Sequence, residues 1–162
     1  MAKTKEAKTN AMRILDRMKI SYQTYSYECD AFTDAQQTAA LLNLPHELMY
    51  KTLVTVSPQG SYFVFVIPID RELDLKKAAH AAAQKSLSMI HVKDLLPVTG
   101  YLRGGCTAIG LKKPYPVFLD ESALSYPEIV VSGGKVGLQI RLTPEDLLKA
   151  SQGSVAPVTH TV

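Results

Sequence analysis

The segment 49–54 reads MYKTLV, a β-forming apolar run broken by Lys51. An ammonium in such a strand is a poor core group unless it reaches a cavity with an anionic or carbonyl partner, or snorkels to an edge. The residue types alone leave both readings open. Further along, GYLRGGCTAIG at 100–110 places four glycines around one arginine and one cysteine, too glycine-rich for a helix and too interrupted for a core strand. A third segment, VSGGK, brings Ser132, Gly133 and Gly134 to a strand end. Consecutive glycine amides can bind a carbonyl oxygen or a developing oxyanion without any side chain. Lys51 with Thr52, Gly104 with Gly105, and Ser132 with Gly133 and Gly134 therefore describe a pocket that positions and polarises more than it attacks.

Other chemistries find less support. A nucleophilic Cys106 would need a base or a strong positive field to form thiolate, and Arg103 is near in sequence while no histidine lies in the loop. A distant base stays open, against the alternative of a structural thiol. The acidic residues are scattered at helix starts, where capping explains them. Neither G-x-x-x-x-G-K-[ST] nor G-x-G-x-x-G occurs. His46, His80, His91 and His160 show no H-x-x-x-H spacing and no CxxC partner, so no metal and no cofactor is expected. Cys29 and Cys106 are expected as free thiols in a reducing compartment.

The chain of 162 residues carries 18 Lys and Arg against 15 Asp and Glu, a net charge of +3 that does not by itself mark a nucleic-acid binder. The distribution says more, since Arg103, Lys112, Lys113, Lys135 and Arg141 lie in or beside the glycine-rich segments. Cations near bare amides suit phosphate; an ordinary solvated lysine surface is the alternative. The apolar run YFVFVIPI at 62–69 is far too short for a membrane span, and the charged start MAKTKEAKTNAMRIL lacks an apolar signal core. No membrane association and a cytoplasmic location are expected. A length of this size fits one domain over 1–162.

Periodicity supplies the frame. Ala11, Ile14, Leu15 and Met18 form one face of a helix over about 9–19. SYQTYSY alternates as a strand, and DAQQTAALLNL reads as a second helix with Thr33 as its cap. YKTLVTV and SYFVFVIPI flank SPQG as a hairpin. DLKKAAHAAAQK is a helix capped by Asp74, and HVKDLL a helical piece ending before Pro97. YPVFLD, EIVVS and VGLQIRL are strands, and TPEDLLKA is a closing helix with Thr143 as cap and Pro144 at its first position. A loose tail is expected after Gly153. This is a mixed α+β arrangement, a single mixed or partly closed, barrel-like sheet with helices packed outside, and not a doubly wound α/β sheet.

The motifs YECDAF, YKTLV, LKKAA, TGYLRGGCTAIG, VSGGKVGLQI and TPEDLLK, in this order along nearly the whole chain, resemble the YbaK/EbsC family. These proteins are stand-alone relatives of the editing domain inserted in bacterial prolyl-tRNA synthetases. The resemblance implies a compact fold around a barrel-like sheet and hydrolysis of cysteine mischarged onto proline tRNA, Cys-tRNA(Pro). It places the family's essential lysine on Lys51 with Thr52 beside it, the glycine pair on Gly104 and Gly105, the serine on Ser132, and the aromatic pocket residues on Tyr27 and Phe32. It further implies a substrate-assisted mechanism, in which the cysteine thiol of the substrate attacks its own ester. The implied partners are the aminoacylated 3′ end of tRNA and, transiently, prolyl-tRNA synthetase. Thr107 and Ala108 replace Ser and Pro of the family loop G-G-x-S-P-x-G, SGGKVG replaces SGGKRG, and Gln139 stands where some members are acidic. A changed loop bears on which aminoacyl group fits. A deacylase for alanine or serine, or a tRNA- or synthetase-binding regulator without turnover, are the other readings.

Overall fold

The computed structural model describes residues 8–27 and 35–160. Helix α1 (Asn10–Arg17) starts where the Thr9 hydroxyl accepts from the Met12 amide, and its buried face is Ala11 and Leu15. Strand β1 (Gln23–Ser26) and helix α2 (Ala35–Leu42) follow, then a 3-10 turn at His46–Leu48. Strands β2 (Tyr50–Val56) and β3 (Tyr62–Pro68) form the expected hairpin, paired from Tyr50 opposite Pro68 to Val56 opposite Tyr62. The connecting turn is closed by Gly60 N–H to the Ser57 carbonyl at 2.9 Å, with Gly60 at φ +87°.

Helix α3 (Leu75–Ala81) is capped by Asp74, whose carboxylate accepts from the Lys76 and Lys77 amides. It stops earlier than its alanine-rich sequence suggests. Ala83 turns left-handed at φ +57°, and the Gln84 amide reaches back to the Ala79 carbonyl at 2.8 Å, which turns the chain so that Leu87 enters the core. Strand β4 (Ser88–Met89) and helix α4 (Val92–Thr99) come next. Helix α4 runs through Pro97 instead of ending before it, a correction to the sequence reading. Proline removes one amide, the partner of the Lys93 carbonyl, and both residues are exposed. Thr99 Oγ1 donates to the Leu95 carbonyl at 2.7 Å, and Gly100 at φ +87° ends the helix.

Strands β5 (Val117–Asp120), β6 (Ile129–Ser132) and β7 (Leu138–Leu142) precede helix α5 (Pro144–Ser151), whose cap Thr143 accepts from the Asp146 amide. The expected loose tail is instead strand β8 (Ser154–Ala156), parallel to β5. It is anchored by Asp120, 2% exposed, whose carboxylate accepts from the Val158 amide at 3.1 Å and the Thr159 hydroxyl at 3.3 Å.

The strands form two sheets, not one. A mixed five-stranded sheet has the order β4-β2-β3-β5-β8, and an antiparallel three-stranded sheet the order β1-β7-β6. Among the described residues one parallel bridge, Met49 to Val130, connects them, so the two sheets meet at one edge and do not close into a barrel. Strand β3 lies inside with both faces covered, which is why its sequence is continuously apolar. Val64 and Val66 face a core shared with α1, β6, β7 and α5, while Phe63, Phe65 and Ile67 face a second core under α3. Phe65 stacks on Phe118 of β5 at 5.3 Å.

Candidate active site

The site lies where the two sheets part. Just before β2 the Met49 carbonyl accepts from the Ile69 amide, so the main-chain groups of Met49, Lys51 and Leu53 point towards β3. Those of Tyr50, Thr52 and Val54 point the other way. On that edge the Val54 carbonyl accepts from the Ile90 amide, and β6 joins at the parallel bridge between Val130 and Met49. The Thr52 N–H and C=O thus face this edge, between the bridge at Met49 and the contact with Ile90. A cavity of about 360 Å³ opens there, lined by Lys51, Thr52, Gly104, Cys106, Ser132 and Gln139, by Arg103, and by Gln36 and Thr38 of α2.

Lys51 is half-buried, and its Nζ donates to the Ile69 carbonyl at 3.3 Å. Burial holds its ammonium below the usual lysine range, with the nearby carboxylates of Glu72 and Asp70 acting in the opposite direction. Of the glycine pair, Gly104 lines the cavity at φ +86° and its N–H has no acceptor among the described residues. Gly105 does not reach the wall. Its N–H is used by the Leu102 carbonyl at 2.9 Å, so only one of the two amides expected to hold a carbonyl is available in this conformation.

Ser132 lines the cavity, and its Oγ accepts from the Gly134 amide at 3.3 Å. Gly133 and Gly134 are not on the wall. The Gly133 N–H closes the β6–β7 turn on the Leu138 carbonyl, and its own carbonyl accepts from the Thr9 hydroxyl at 2.6 Å. Gly134 turns at φ +103° beside Thr9 and Tyr101. Tyr27 stands one residue back from the cavity, its hydroxyl accepting from Thr38 Oγ1 at 3.5 Å. Phe32 lies outside the described residues, as do Cys29 and the cap Thr33.

Sequence reasoning left α2 out of the site. Its signal was present only as a polar face, Gln36 and Thr38, on a helix otherwise rich in alanine and leucine. Gln139 is 7% exposed and cross-strand from Ser132. Its side chain makes no hydrogen bond among the described residues, so its amide is available to whatever occupies the cavity.

Cys106 is 9% exposed in the cavity wall. Burial pushes its thiol up to about 11, against the opposing hydrogen bond from Thr99. It is a protonated, weakly nucleophilic thiol at neutral pH. Among the described residues no three His, Cys, Asp or Glu side chains come together as a metal site. The cavity offers two cations, Lys51 and Arg103, with an open amide, a strand edge and several neutral polar groups, which suits binding and polarising an ester carried on a phosphate-bearing ligand.

The model of the aminoacyl-tRNA editing domain matches residues 30–150. The chain belongs to the aminoacyl-tRNA editing domain family. A relative from Enterococcus faecalis, named "Putative Cys-tRNA(Pro)/Cys-tRNA(Cys) deacylase EbsC", is 44% identical over 161 residues, 98% of each chain. A solved structure described as "a putative trans-editing enzyme for prolyl tRNA synthetase" superposes with a TM-score of 0.80 at 25% identity, over 96% of this chain and all of that one. A hypothetical protein of the same fold gives a TM-score of 0.84 at 21% identity over 94% of this chain and all of that one. Every residue that lines the cavity of this editing domain falls inside the matched span.

Proposed function

We propose that this editing domain is an aminoacyl-tRNA deacylase that removes cysteine from mischarged Cys-tRNA(Pro), acting in trans on the product of prolyl-tRNA synthetase. The observation that carries the reading is Lys51 and Gly104 facing one cavity whose only thiol among the described residues, Cys106, is held protonated. Cysteine and proline are close in size, and discrimination by about one methylene is worth roughly 1–3 kcal/mol, so a hydrolytic second sieve has work to do. The relative's name, with its 44% identity, supports the same substrate class.

In this reading the nucleophile comes from the substrate. The cysteinyl sulfur attacks its own ester carbonyl; the C–S bond forms, the C–O bond to the ribose breaks, and the thiol proton ends on the departing ribose oxygen. Water then opens the four-membered thiolactone to free cysteine. The Gly104 N–H takes the carbonyl oxygen, where charge develops. Lys51 holds the 3′-terminal nucleotide or its phosphate, and the Thr52 main chain and Ser132 orient the group between them. The tRNA body adds phosphate contacts from surface lysines and arginines.

Deacylation of Cys-tRNA(Pro) and Ala-tRNA(Pro), each with and without prolyl-tRNA synthetase, tests the reading. Rapid release of cysteine and slow release of alanine are expected. Faster alanine release would make it a deacylase for another small amino acid. Tight tRNA binding without release of either would make it a regulator.

A further inference from the structure

Lys51, one of two cations lining the cavity, is tied to the surface by a chain of polar groups. Lys51 Nζ donates to the Ile69 carbonyl at 3.3 Å, its one hydrogen bond among the described residues. The same carbonyl accepts from Gln36 Nε2 at 3.0 Å, and that nitrogen lies 3.3 Å from Asp70 Oδ1. Asp70 Oδ2 stands 3.0 Å from His46 Nδ1. Four segments meet in this chain: α2, the turn before β2, β2 itself, and the residues after β3.

A lysine side chain has many rotamers, and a single bond to a main-chain oxygen selects among them while leaving two of its three N–H donors for a ligand. Gln36 fixes that oxygen from the other side and is itself fixed by Asp70. Half-burial works against the ammonium. The groups that face it are the carboxylates of Asp70 and Glu72, the amide of Gln36, and Arg103 across the cavity, with His46 acting through Asp70. Two carboxylates therefore oppose one further cation.

We infer that Asp70, together with Gln36, is a positioning residue for Lys51: through Gln36 it holds the Ile69 carbonyl that takes Nζ, and beside Glu72 it supplies counter-charge at the cavity edge. Its consequence for turnover rests on the deacylase reading, but the charge of Lys51 can be read without any substrate.

The test follows the Lys51 side chain by NMR in ¹³C-lysine-labelled protein, assigned by loss of its signal in Lys51→Arg. In Asp70→Asn, which keeps an acceptor for Gln36 and removes the charge, the Lys51 midpoint should move down by about half a pH unit. Asp70→Glu should return it towards the wild-type value. In the wild-type protein, 0.5 M salt should also lower the midpoint, because both carboxylates are exposed and screened. An unmoved midpoint in a folded Asp70→Asn protein, or a salt-independent wild-type midpoint, would overturn the inference. The alkaline limb of single-turnover deacylation should move down with the NMR midpoint. A limb that stays put while the midpoint moves contradicts the role of Lys51 in deacylation, not the positioning by Asp70.

Discussion

Gly105 lies against the main chain of Lys135 so closely that a β-carbon on Gly105 would stand 2.8 Å from Lys135 Cα. The loop after α4 and the β6–β7 turn are thereby pressed together, which sets the neighbouring Gly104 and Ser132 on one cavity. Gly105 admits this approach because it has no side chain, and its amide donates to the Leu102 carbonyl. Gly105→Ala should cost about 2 kcal/mol, because the obstructing atoms are backbone and cannot rotate away. Urea denaturation measures it, and an unchanged midpoint would show that the loop can shift aside freely.

Lys51→Ala should lower single-turnover deacylation at least about 100-fold, in line with losing a charged contact to the substrate. Its stability should change by less than about 1 kcal/mol, since burial already disfavours the ammonium in the folded state. Thermal unfolding beside the kinetics separates the two effects. Near wild-type hydrolysis in the folded variant would remove Lys51 from the site.

Burial pushes the Cys106 thiol up to about 11 in the folded protein, above the value of about 8.5 for an exposed cysteine. A raised folded value means that the native state holds its proton longer than the unfolded state. Its contribution is whole below the unfolded value and is lost as pH rises from about 8.5 through 11. Wild-type stability should therefore fall by about 1.5 kcal/mol more than that of Cys106→Ala between pH 8.5 and 10. Tyr22, Tyr50 and Tyr101, pushed up to about 12, act mainly above that window in both proteins. Equal pH slopes in the two proteins would show that the thiol is not protected.

Thr107 is fully buried and its hydroxyl has no hydrogen-bond partner among the described residues. An unpaired buried hydroxyl costs desolvation without return, so Thr107→Val should stabilise by about 1 kcal/mol. A loss of similar size would instead reveal a buried water bonded to Thr107.

Much of this was legible in the sequence where local chemistry decides. Asp74 and Thr143 begin helices because their side chains satisfy open amides, and both do so here. The β2–β3 hairpin followed from its turn residues and apolar flanks. What failed depended on distant partners. Strand β8 is too short to announce itself and exists because Asp120 holds the residues that follow it. Helix α4 passes Pro97 where both Pro97 and Lys93 are exposed. The division into two sheets turns on one bridge at Met49, which no local pattern encodes. In the site, Lys51, Thr52, Gly104 and Ser132 meet at the cavity, whereas Gly105, Gly133 and Gly134 shape the loops behind it. Glycine in a sequence signals close approach, but not whether a ligand or another backbone is what approaches.

The central claim is that the substrate supplies the nucleophile, and the most direct measurement is single-turnover hydrolysis of Cys-tRNA(Pro) and Ser-tRNA(Pro) by wild-type and Cys106→Ala proteins. A substrate thiol in a positioning pocket predicts that Cys106→Ala keeps most of its rate on Cys-tRNA(Pro). It predicts also that both proteins are much slower on Ser-tRNA(Pro), whose hydroxyl is the weaker nucleophile. A folded, tRNA-binding Cys106→Ala protein inactive on both substrates would contradict the account and make Cys106 the nucleophile of a cysteine esterase.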